Sequence, residues 1–253
     1  MNRDQLVDAW LREEQVAHVH GWDFSHIHGR YDEERDLPWS YEEVLRSYLT
    51  PEARLLDVDT GGAEPLLSLD HPHGKTAATE GYPPNVLLCD ERLLPLGVDF
   101  KEADAAVSLP FTSGSFDVVA NRHGDVNEGE VARVLAPCGV FVTEQVGAEN
   151  DRELVRMLLG DVPLPFPGQY LDAAMKRLDS CGLEVVDGRE AFRPIRFYDV
   201  GALVWFAHVI EWEFPGFSVR GCLDRLFACQ EGLDRDGVIE GTIHRYLVAA
   251  RKA

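Results

Sequence analysis

The sequence has few positive charges for its length. Its 253 residues contain 24 Lys and Arg against 44 Asp and Glu, which gives a formal net charge of −20. A nucleic-acid surface needs clustered Lys and Arg to displace counterions from phosphates. The composition therefore disfavours nucleic acid as a partner and is typical of an acidic, solvated surface.

Long apolar runs and paired cysteines are also missing. The longest apolar stretch, Val200 to Ile210, is interrupted by Gly201 and His208 and is shorter than the ~20 residues that cross a bilayer. No apolar run follows the first residues, as a secretory signal would require. The five cysteines are scattered without a C-x-x-C pair, so neither a disulfide framework nor a zinc knuckle is indicated. We therefore expect a cytoplasmic protein without a membrane partner.

The sequence instead contains alternating strand and helix patterns. Ser40 and Glu43 form a capping-box pair that begins a helix, and Thr50-Pro51 ends it. Short apolar runs then alternate with helical spacings, which predicts an α/β fold built on a doubly wound, parallel sheet. The predicted strands lie near 54–58, 75–80, 98–102, 116–120, 139–145, 183–186 and 242–249.

No repeat, linker or composition break divides the chain, so we predict a single domain over residues 1–253. It comprises an N-terminal helical cap at 1–50, a core at 51–147 and an insertion at 191–235 before the last strand. The aromatic-rich stretch between the last two strands is too long to lack structure of its own. Its segment Phe197 to Phe206 is apolar nearly all round, which indicates a covered helix or a lid over a ligand.

A glycine turn follows the first core strand. Ligands of open parallel sheets bind at the carboxyl ends of the strands, which is where Gly61 and Gly62 stand. Both glycines can take positive φ and admit a ligand close to the backbone, while the next helix start offers free N–H groups to an anion. Glu80 ends the next strand about 20 residues later, the spacing of an acid that binds ribose hydroxyls.

Four sequence blocks occur in a characteristic order. They are LLDVDTGG at 55–62, Glu80, LPF with SFDVV between 109 and 119, and EVARVLAPCG at 130–139. Together they resemble the class I S-adenosylmethionine-dependent methyltransferases, in particular the methyltransferase domain of type 11, over residues 51–147. The resemblance implies a Rossmann-like sheet of seven strands with an antiparallel last strand. It also implies S-adenosyl-L-methionine as cofactor and methyl transfer to an O, N or C nucleophile of a small molecule.

The resemblance also implies a cofactor site with two departures from the family pattern. Asp59 stands where the family usually has its first glycine, and its carboxylate would either repel the ligand's carboxylate or pair with its ammonium. Asp tolerates unusual φ better than most residues. The usual adenine-binding aspartate corresponds to Ala105, while Asp104 lies one residue earlier. The implied cofactor-binding residues are Asp57, Asp59, Thr60, Gly61, Gly62, Glu80, Asp104, Ala105, Asn121 and Arg122.

Two residues at the strand ends are candidate catalytic groups. His123 follows the strand at 116–120, where methyl donor and acceptor should meet, and an imidazole pKa of about 6.5 suits proton removal. Glu144 ends the next strand and would orient an acceptor or a cationic substrate. A structural histidine and a solvated loop carboxylate are the alternative interpretations.

Four residues outside the core are candidate substrate-binding groups. Arg30 could bind a carboxylate with both guanidinium nitrogens or form a surface ion pair. Tyr198, Trp205 and His208 could line an apolar acceptor pocket or simply pack in a core. The pairs His18-x-His20, His26-x-His28 and His71-x-His73 match no recognised zinc motif, so no metal is predicted.

Three rival functions remain. A degenerate member of the fold could bind the cofactor or another ligand without methylating, which Asp59 and the displaced Asp104 would explain. A nicotinamide-dependent oxidoreductase would share the glycine turn and the acid, but its G-x-G-x-x-G pattern is absent. An RNA methyltransferase is disfavoured by charge.

Overall fold

The computed structural model describes residues 1–18, 23–33 and 37–253, which contain an eight-stranded sheet. Its strands are β1 (Tyr31–Glu33), β2 (Leu55–Val58), β3 (Thr76–Glu80), β4 (Asp99–Glu102), β5 (Phe116–Arg122), β6 (Leu135–Val146), β7 (Leu183–Phe197) and β8 (Ile239–Lys252). The strand order is β1-β7-β8-β6-β5-β2-β3-β4. Strands β2 to β6 pair in parallel, and β8 runs antiparallel to β6. The predicted doubly wound, mostly parallel sheet with an antiparallel last strand is confirmed, and the short β1 adds an edge strand that the sequence pattern did not predict.

Helices connect the strands. They are α1 (Arg3–Val16), α2 (Tyr41–Tyr48), α3 (Glu64–Ser68), α4 (Pro83–Leu93), α5 (Glu128–Val134), α6 (Arg152–Leu159), α7 (Leu171–Ser180), α8 (Val200–Val209) and α9 (Leu223–Asp236). The predicted start of α2 is confirmed, since the Ser40 hydroxyl accepts a hydrogen bond from the Glu43 N–H at 3.2 Å. Among the described residues, no helix is both long and apolar enough to cross a membrane.

The chain forms two compact units, each with its own apolar core. Unit 1 comprises Met1–Leu37, Ala148–Pro167 and Phe192–His244, and unit 2 comprises Pro38–Gly147, Gly168–Ala191 and Arg245–Ala253. Strands β7 and β8 contribute residues to both units.

Unit 2 contains the parallel strands, which are covered on both faces. All five residues of β3 are buried. Leu56 and Val119 pack in one core cluster, whereas Leu55 and Val118 belong to the cluster on the opposite face. Burial of both faces explains why these strands read in the sequence as short continuous apolar runs rather than as alternating patterns.

Unit 1 contains the predicted apolar helix. Every residue of α8 from Val200 to Ala207 is buried. The Asp199 carboxylate caps the helix by accepting a hydrogen bond from the Gly201 N–H at 2.6 Å. Strand β7 continues to Phe197, so residues 191–197 of the predicted insertion are strand. Ala191, Ile195 and Phe197 are buried on one face of this strand. The prediction that the insertion begins at residue 191 overlooked this alternating pattern.

Candidate functional site

The turn after β2 is held by hydrogen bonds to its own strand and to β3. The Thr60 hydroxyl donates to the Asp57 carboxylate at 2.6 Å, and the Thr60 N–H donates to the Thr79 carbonyl at 3.0 Å. Gly61 has a φ of +63°, and no atom lies within 4 Å of where a Cβ would stand. The buried Cys89 thiol donates to the Gly61 carbonyl at 3.2 Å. These hydrogen bonds thus fix the turn, and the space where a Gly61 side chain would stand is open to a ligand.

Glu80 ends β3 directly beside this turn. Its side chain is buried, and its Oε2 accepts the Gly61 N–H at 2.8 Å. Its Oε1 accepts the N–H groups of Gly81 at 2.9 Å and Tyr82 at 2.8 Å. Three backbone donors therefore fix the orientation of the carboxylate, and Oε2 retains a lone pair shared only with the Asn85 amide at 3.4 Å.

Negative charges crowd the carboxyl ends of β2, β3 and β4. Partial burial raises the pKa of Asp59 to about 7, assisted by the charges of Glu80, Asp104, Asp125 and Asp57. Burial likewise raises the pKa of Asp57 to about 6, although the Thr60 hydrogen bond opposes the change. These predicted cofactor-binding carboxylates therefore lie close enough to repel one another.

The two candidates for the adenine position are placed differently. Ala105 is 1% exposed in the core, and its carbonyl accepts the Asn127 N–H at 2.9 Å. Asp104 is exposed at the end of the β4 connection, and its carboxylate accepts the Ala106 N–H at 3.0 Å. Asp104 thus presents the accessible carboxylate, while Ala105 offers only apolar surface.

Asn121 fixes the end of β5 between its neighbours. The side chain is fully buried, and its amide donates to the Val58 carbonyl at 3.0 Å. Its amide oxygen accepts the Thr143 hydroxyl at 3.2 Å and the Gln145 amide at 2.6 Å. Because these bonds reach the strands on both sides, the Asn121 side chain joins β2, β5 and β6.

A charged cluster lies at the ends of β5 and β6. Glu144 is only 2% exposed, yet it accepts the Trp39 indole N–H at 2.7 Å and the Arg122 Nε–H at 2.9 Å. Burial alone would raise its pKa, but His123, Arg122 and Trp39 together lower the pKa of Glu144 to about 2. Glu144 is therefore a buried, permanently charged carboxylate near neutral pH.

His123 lies beside this carboxylate. It has a φ of +62°, and its backbone N–H donates to the Glu144 carbonyl at 2.9 Å. The Nε2 atom lies 3.6 Å from Glu144 Oε1, and the side chain is 31% exposed. Desolvation lowers the pKa of His123, partly offset by Glu144. The imidazole is thus neutral near pH 7, accessible, and able to accept a proton that the carboxylate would help to stabilise.

Tyr41 begins α2 at the same strand ends. Arg122 lies over its ring, 5.7 Å from the centroid. The hydroxyl is buried and forms no hydrogen bond with a described residue, although the Asn121 backbone is near. Burial, the Asp57 charge and the Glu144 charge raise the pKa of Tyr41, so the hydroxyl stays protonated. An unsatisfied buried hydroxyl requires a partner such as water or a ligand.

The four predicted substrate-binding residues all lie in unit 1. The Arg30 guanidinium donates to Glu13 at 2.7 Å and to Asp199 at 2.9 Å, which raises its pKa. Arg30 is therefore already paired with two carboxylates. This arrangement matches the second predicted role of Arg30, an ion pair.

The other three predicted residues differ in exposure. Trp205 is 1% exposed, and its indole N–H has no partner among the described residues. Tyr198 is 47% exposed, and His208 lies on the exposed side of α8. A role in binding an acceptor stays a prediction for all four.

The histidine pairs of the sequence are only partly within the described residues. Within residues 1–18, 23–33 and 37–253, no group of three His, Cys, Asp or Glu side chains is arranged to hold a metal ion. His71 is buried, with its Nε2 2.9 Å from the Ala53 carbonyl. His20 lies outside the described residues.

Sequence reasoning overlooked Trp39, Tyr41 and Asp125. Trp39 and Tyr41 flank the Ser40 cap of α2, and Asp125 belongs to the loop after β5. Their importance depends on contacts with distant strands, such as the Trp39–Glu144 bond between residues 105 positions apart. The adjacent aromatics at a predicted helix start were the only available signal in the sequence.

Comparisons with known structures identify the class of fold. The chain is similar to a candidate methyltransferase from Bacillus halodurans, with 17% identity and a TM-score of 0.59 over 84% of this chain and 98% of that chain. A candidate sarcosine dimethylglycine methyltransferase from Galdieria sulphuraria is 16% identical, with a TM-score of 0.53 over 99% of each chain. The cyclase SpnF is 18% identical, with a TM-score of 0.53 over 98% of this chain and 93% of that chain. No family model and no curated protein sequence matches the chain. The fold is that of the class I methyltransferases, as the resemblance implied.

Proposed function

We propose that the protein is a methyltransferase that uses S-adenosyl-L-methionine to methylate a small molecule. The observation that supports this most directly is the contact between the Glu80 carboxylate and the Gly61 N–H at 2.8 Å. Glu80, to which we assign the ribose hydroxyls, thus lies beside the glycine turn at the carboxyl ends of adjacent parallel strands, where ligands of such sheets bind.

The residues at this edge suit that cofactor. Glu80 has a fixed carboxylate with a lone pair available to a ribose hydroxyl, and Gly61 leaves open space for close approach. Asp104 supplies an accessible acceptor for an amino group. When bound, the cofactor would supply an electrophilic methyl group on a positively charged sulfur.

We assign the protein's own chemical contribution to alignment and proton removal. Held in line with its acceptor, a methyl group needs little further activation, so positioning carries most of the rate. His123 would take the proton of an O–H or N–H acceptor at Nε2, and Glu144 would stabilise the resulting imidazolium. The net charge of −20 disfavours a nucleic-acid acceptor, which supports a small molecule.

The proposal is tested by calorimetric titration with S-adenosylmethionine and S-adenosylhomocysteine. Wild type should bind both, and Glu80→Gln should weaken both by roughly 10-fold or more, because the amide nitrogen that replaces one carboxylate oxygen cannot accept from the backbone N–H groups bound there. Glu102→Gln is the matched control, since Glu102 faces Glu80 in the β3–β4 register and is exposed. Absence of binding to wild type would contradict the proposal.

Binding without transfer is the second candidate function. It is favoured by Asp59, whose carboxylate departs from the family pattern at the turn. Metabolite pools incubated with protein and cofactor separate the two, because an active enzyme adds the mass of one methyl group to its acceptor. Cofactor binding with no such product in any pool would favour the binding role.

A further inference from the structure

Asp59 is an acidic residue whose side chain has no hydrogen-bond partner among the described residues. Its φ of +54° is a left-handed conformation that glycine adopts freely and Asp tolerates better than most residues. Its carboxylate accepts no hydrogen bond from any residue in the described ranges, although it is only partly exposed. The charged form of a partly buried carboxylate without donors is costly, and this cost is relieved when the group takes up a proton or when a cation accompanies it.

The neighbouring loop is shaped around this side chain. A Cβ at Gly124 would lie 2.6 Å from the Asp59 Cβ and 2.7 Å from its Oδ2, distances that only glycine avoids. The Asp59 side chain therefore packs against the loop that follows β5. This position lies at the carboxyl ends of β2 and β5, the edge that carries the glycine turn.

Four carboxylates from neighbouring segments act on Asp59. The main charged neighbours are Asp57 on β2, Glu80 on β3, Asp104 after β4 and Asp125 after β5. No cation is among these principal interactions, and the Gly124 and Asn121 contacts are uncharged. The field at this point favours a positively charged ligand over a neutral one.

The Tyr41 hydroxyl also lies at this edge, near the Asn121 backbone. The buried Tyr41 hydroxyl makes no hydrogen bond to a described residue, and Asp57 is its principal charged neighbour. A buried hydroxyl near the Asp57 carboxylate makes this edge of the sheet polar, which suits a polar ligand group better than an apolar one.

We propose that Asp59 is a specificity-determining residue that makes the site select the cationic sulfonium cofactor over its neutral thioether product. This rests on the proposed function. The two ligands share their nucleoside and amino-acid parts and differ by one methyl group and one positive charge at sulfur. Transfer breaks the S–C bond, leaves its electron pair on sulfur and forms the bond to the acceptor, whose proton passes to a base. The ligand thereby loses the charge that Asp59 attracts, and the product is released more readily.

Calorimetry with both ligands tests this selectivity. Asp59→Asn keeps the size and the left-handed tolerance but removes the charge, so it should weaken binding of the sulfonium about tenfold and of the thioether by less than about threefold. Asp59→Gly should change the ratio of the two affinities in the same direction. The control Asp99→Asn removes an equal charge at the opposite end of β4, where Asp99 is exposed, and should change neither affinity.

The pH dependence provides a further readout. Asp59 loses its proton near pH 7, so the preference of wild type for the sulfonium should strengthen between about pH 6 and about pH 8. The same titration of Asp59→Asn is the reference, because this variant has no proton to lose at position 59. An analogue with a protonated amine in place of the sulfonium should behave as the sulfonium does.

The outcomes separate the two proposals. If neither ligand binds to wild type, the proposed function and this inference both fail. If both bind and the ratio of their affinities is the same in wild type, Asp59→Asn and Asp59→Gly, only the inference is overturned. Circular dichroism and the melting temperature establish that each variant is folded before titration.

Discussion

Replacement of Trp39 by Phe tests whether the indole N–H stabilises the buried Glu144 carboxylate. Glu144 is 2% exposed, and the indole supplies one of its two close hydrogen bonds, at 2.7 Å. A hydrogen bond to a charged group contributes about 1.5–3 kcal/mol, and loss of ring volume adds a packing cost. Trp39→Phe should therefore lower the free energy of unfolding by about 3 kcal/mol, measured by urea denaturation at neutral pH.

Trp205→Phe is the matched control for the packing cost. Trp205 is also buried, but its indole N–H has no partner among the described residues, so only volume is lost. Trp39→Phe should lower the free energy of unfolding by about 2 kcal/mol more than this control does. In a double-mutant cycle with Glu144→Gln, the coupling energy should be about 1–2 kcal/mol. A coupling below about 0.5 kcal/mol would refute the assigned hydrogen bond.

The sign of the pH effect follows from the lowered pKa of Glu144. A carboxyl whose pKa falls from 4.5 to about 2 on folding stabilises the protein above its ordinary pKa. That contribution is of the order of 3 kcal/mol and is lost as the pH falls from about 4.5 towards 2. The difference in the free energy of unfolding between wild type and Trp39→Phe should therefore be largest at neutral pH and become smaller in acid. If this difference in free energy is the same across the pH range, the lost stability comes from packing alone and not from the hydrogen bond to Glu144.

Two further predictions concern the loop after β5. Gly124→Ala should destabilise wild type by about 1–3 kcal/mol in urea denaturation, and less in the Asp59→Gly background, because the new methyl group then has no Cβ to meet. Equal losses in both backgrounds would contradict the packing described. The imidazole of His123 should titrate below its ordinary pKa of 6.5 in NMR spectra, with His123→Gln assigning the resonance, and Glu144→Gln should lower that pKa further. A His123 pKa at the ordinary value, or a higher His123 pKa in Glu144→Gln, would refute the placement of His123 beside the Glu144 carboxylate.

The sheet was predictable because its signals are local. Strand β5 is a short apolar run whose neighbours cover both faces, and the turn at Gly61 carries its conformation in its own residue type. Strand β7 was underestimated because its final residues alternate Arg with Ile and Phe, a weaker signal than a continuous run. The three residues of β1 are too few for any periodic pattern.

The candidate site was only partly predictable. Motif order indicated Glu80, and the structure supplies its backbone donors. The partners of Glu144 could not be deduced, because Trp39 reaches it across 105 residues of chain. Neither could the four carboxylates around Asp59, since proximity among loops depends on how the strands are ordered in the sheet.

The thiol beneath the glycine turn has a practical consequence. Only a thiolate reacts readily with alkylating reagents, and burial together with the Glu80 and Asp57 charges raises the pKa of Cys89 to about 12. Cys89 is also inaccessible while it donates to the Gly61 carbonyl, so its labelling requires this segment to open. Cys138 is exposed and supplies an internal reference for the reagent. The rate of Cys89 labelling relative to that of Cys138 thus measures how often the turn opens locally, and no probe has to be introduced.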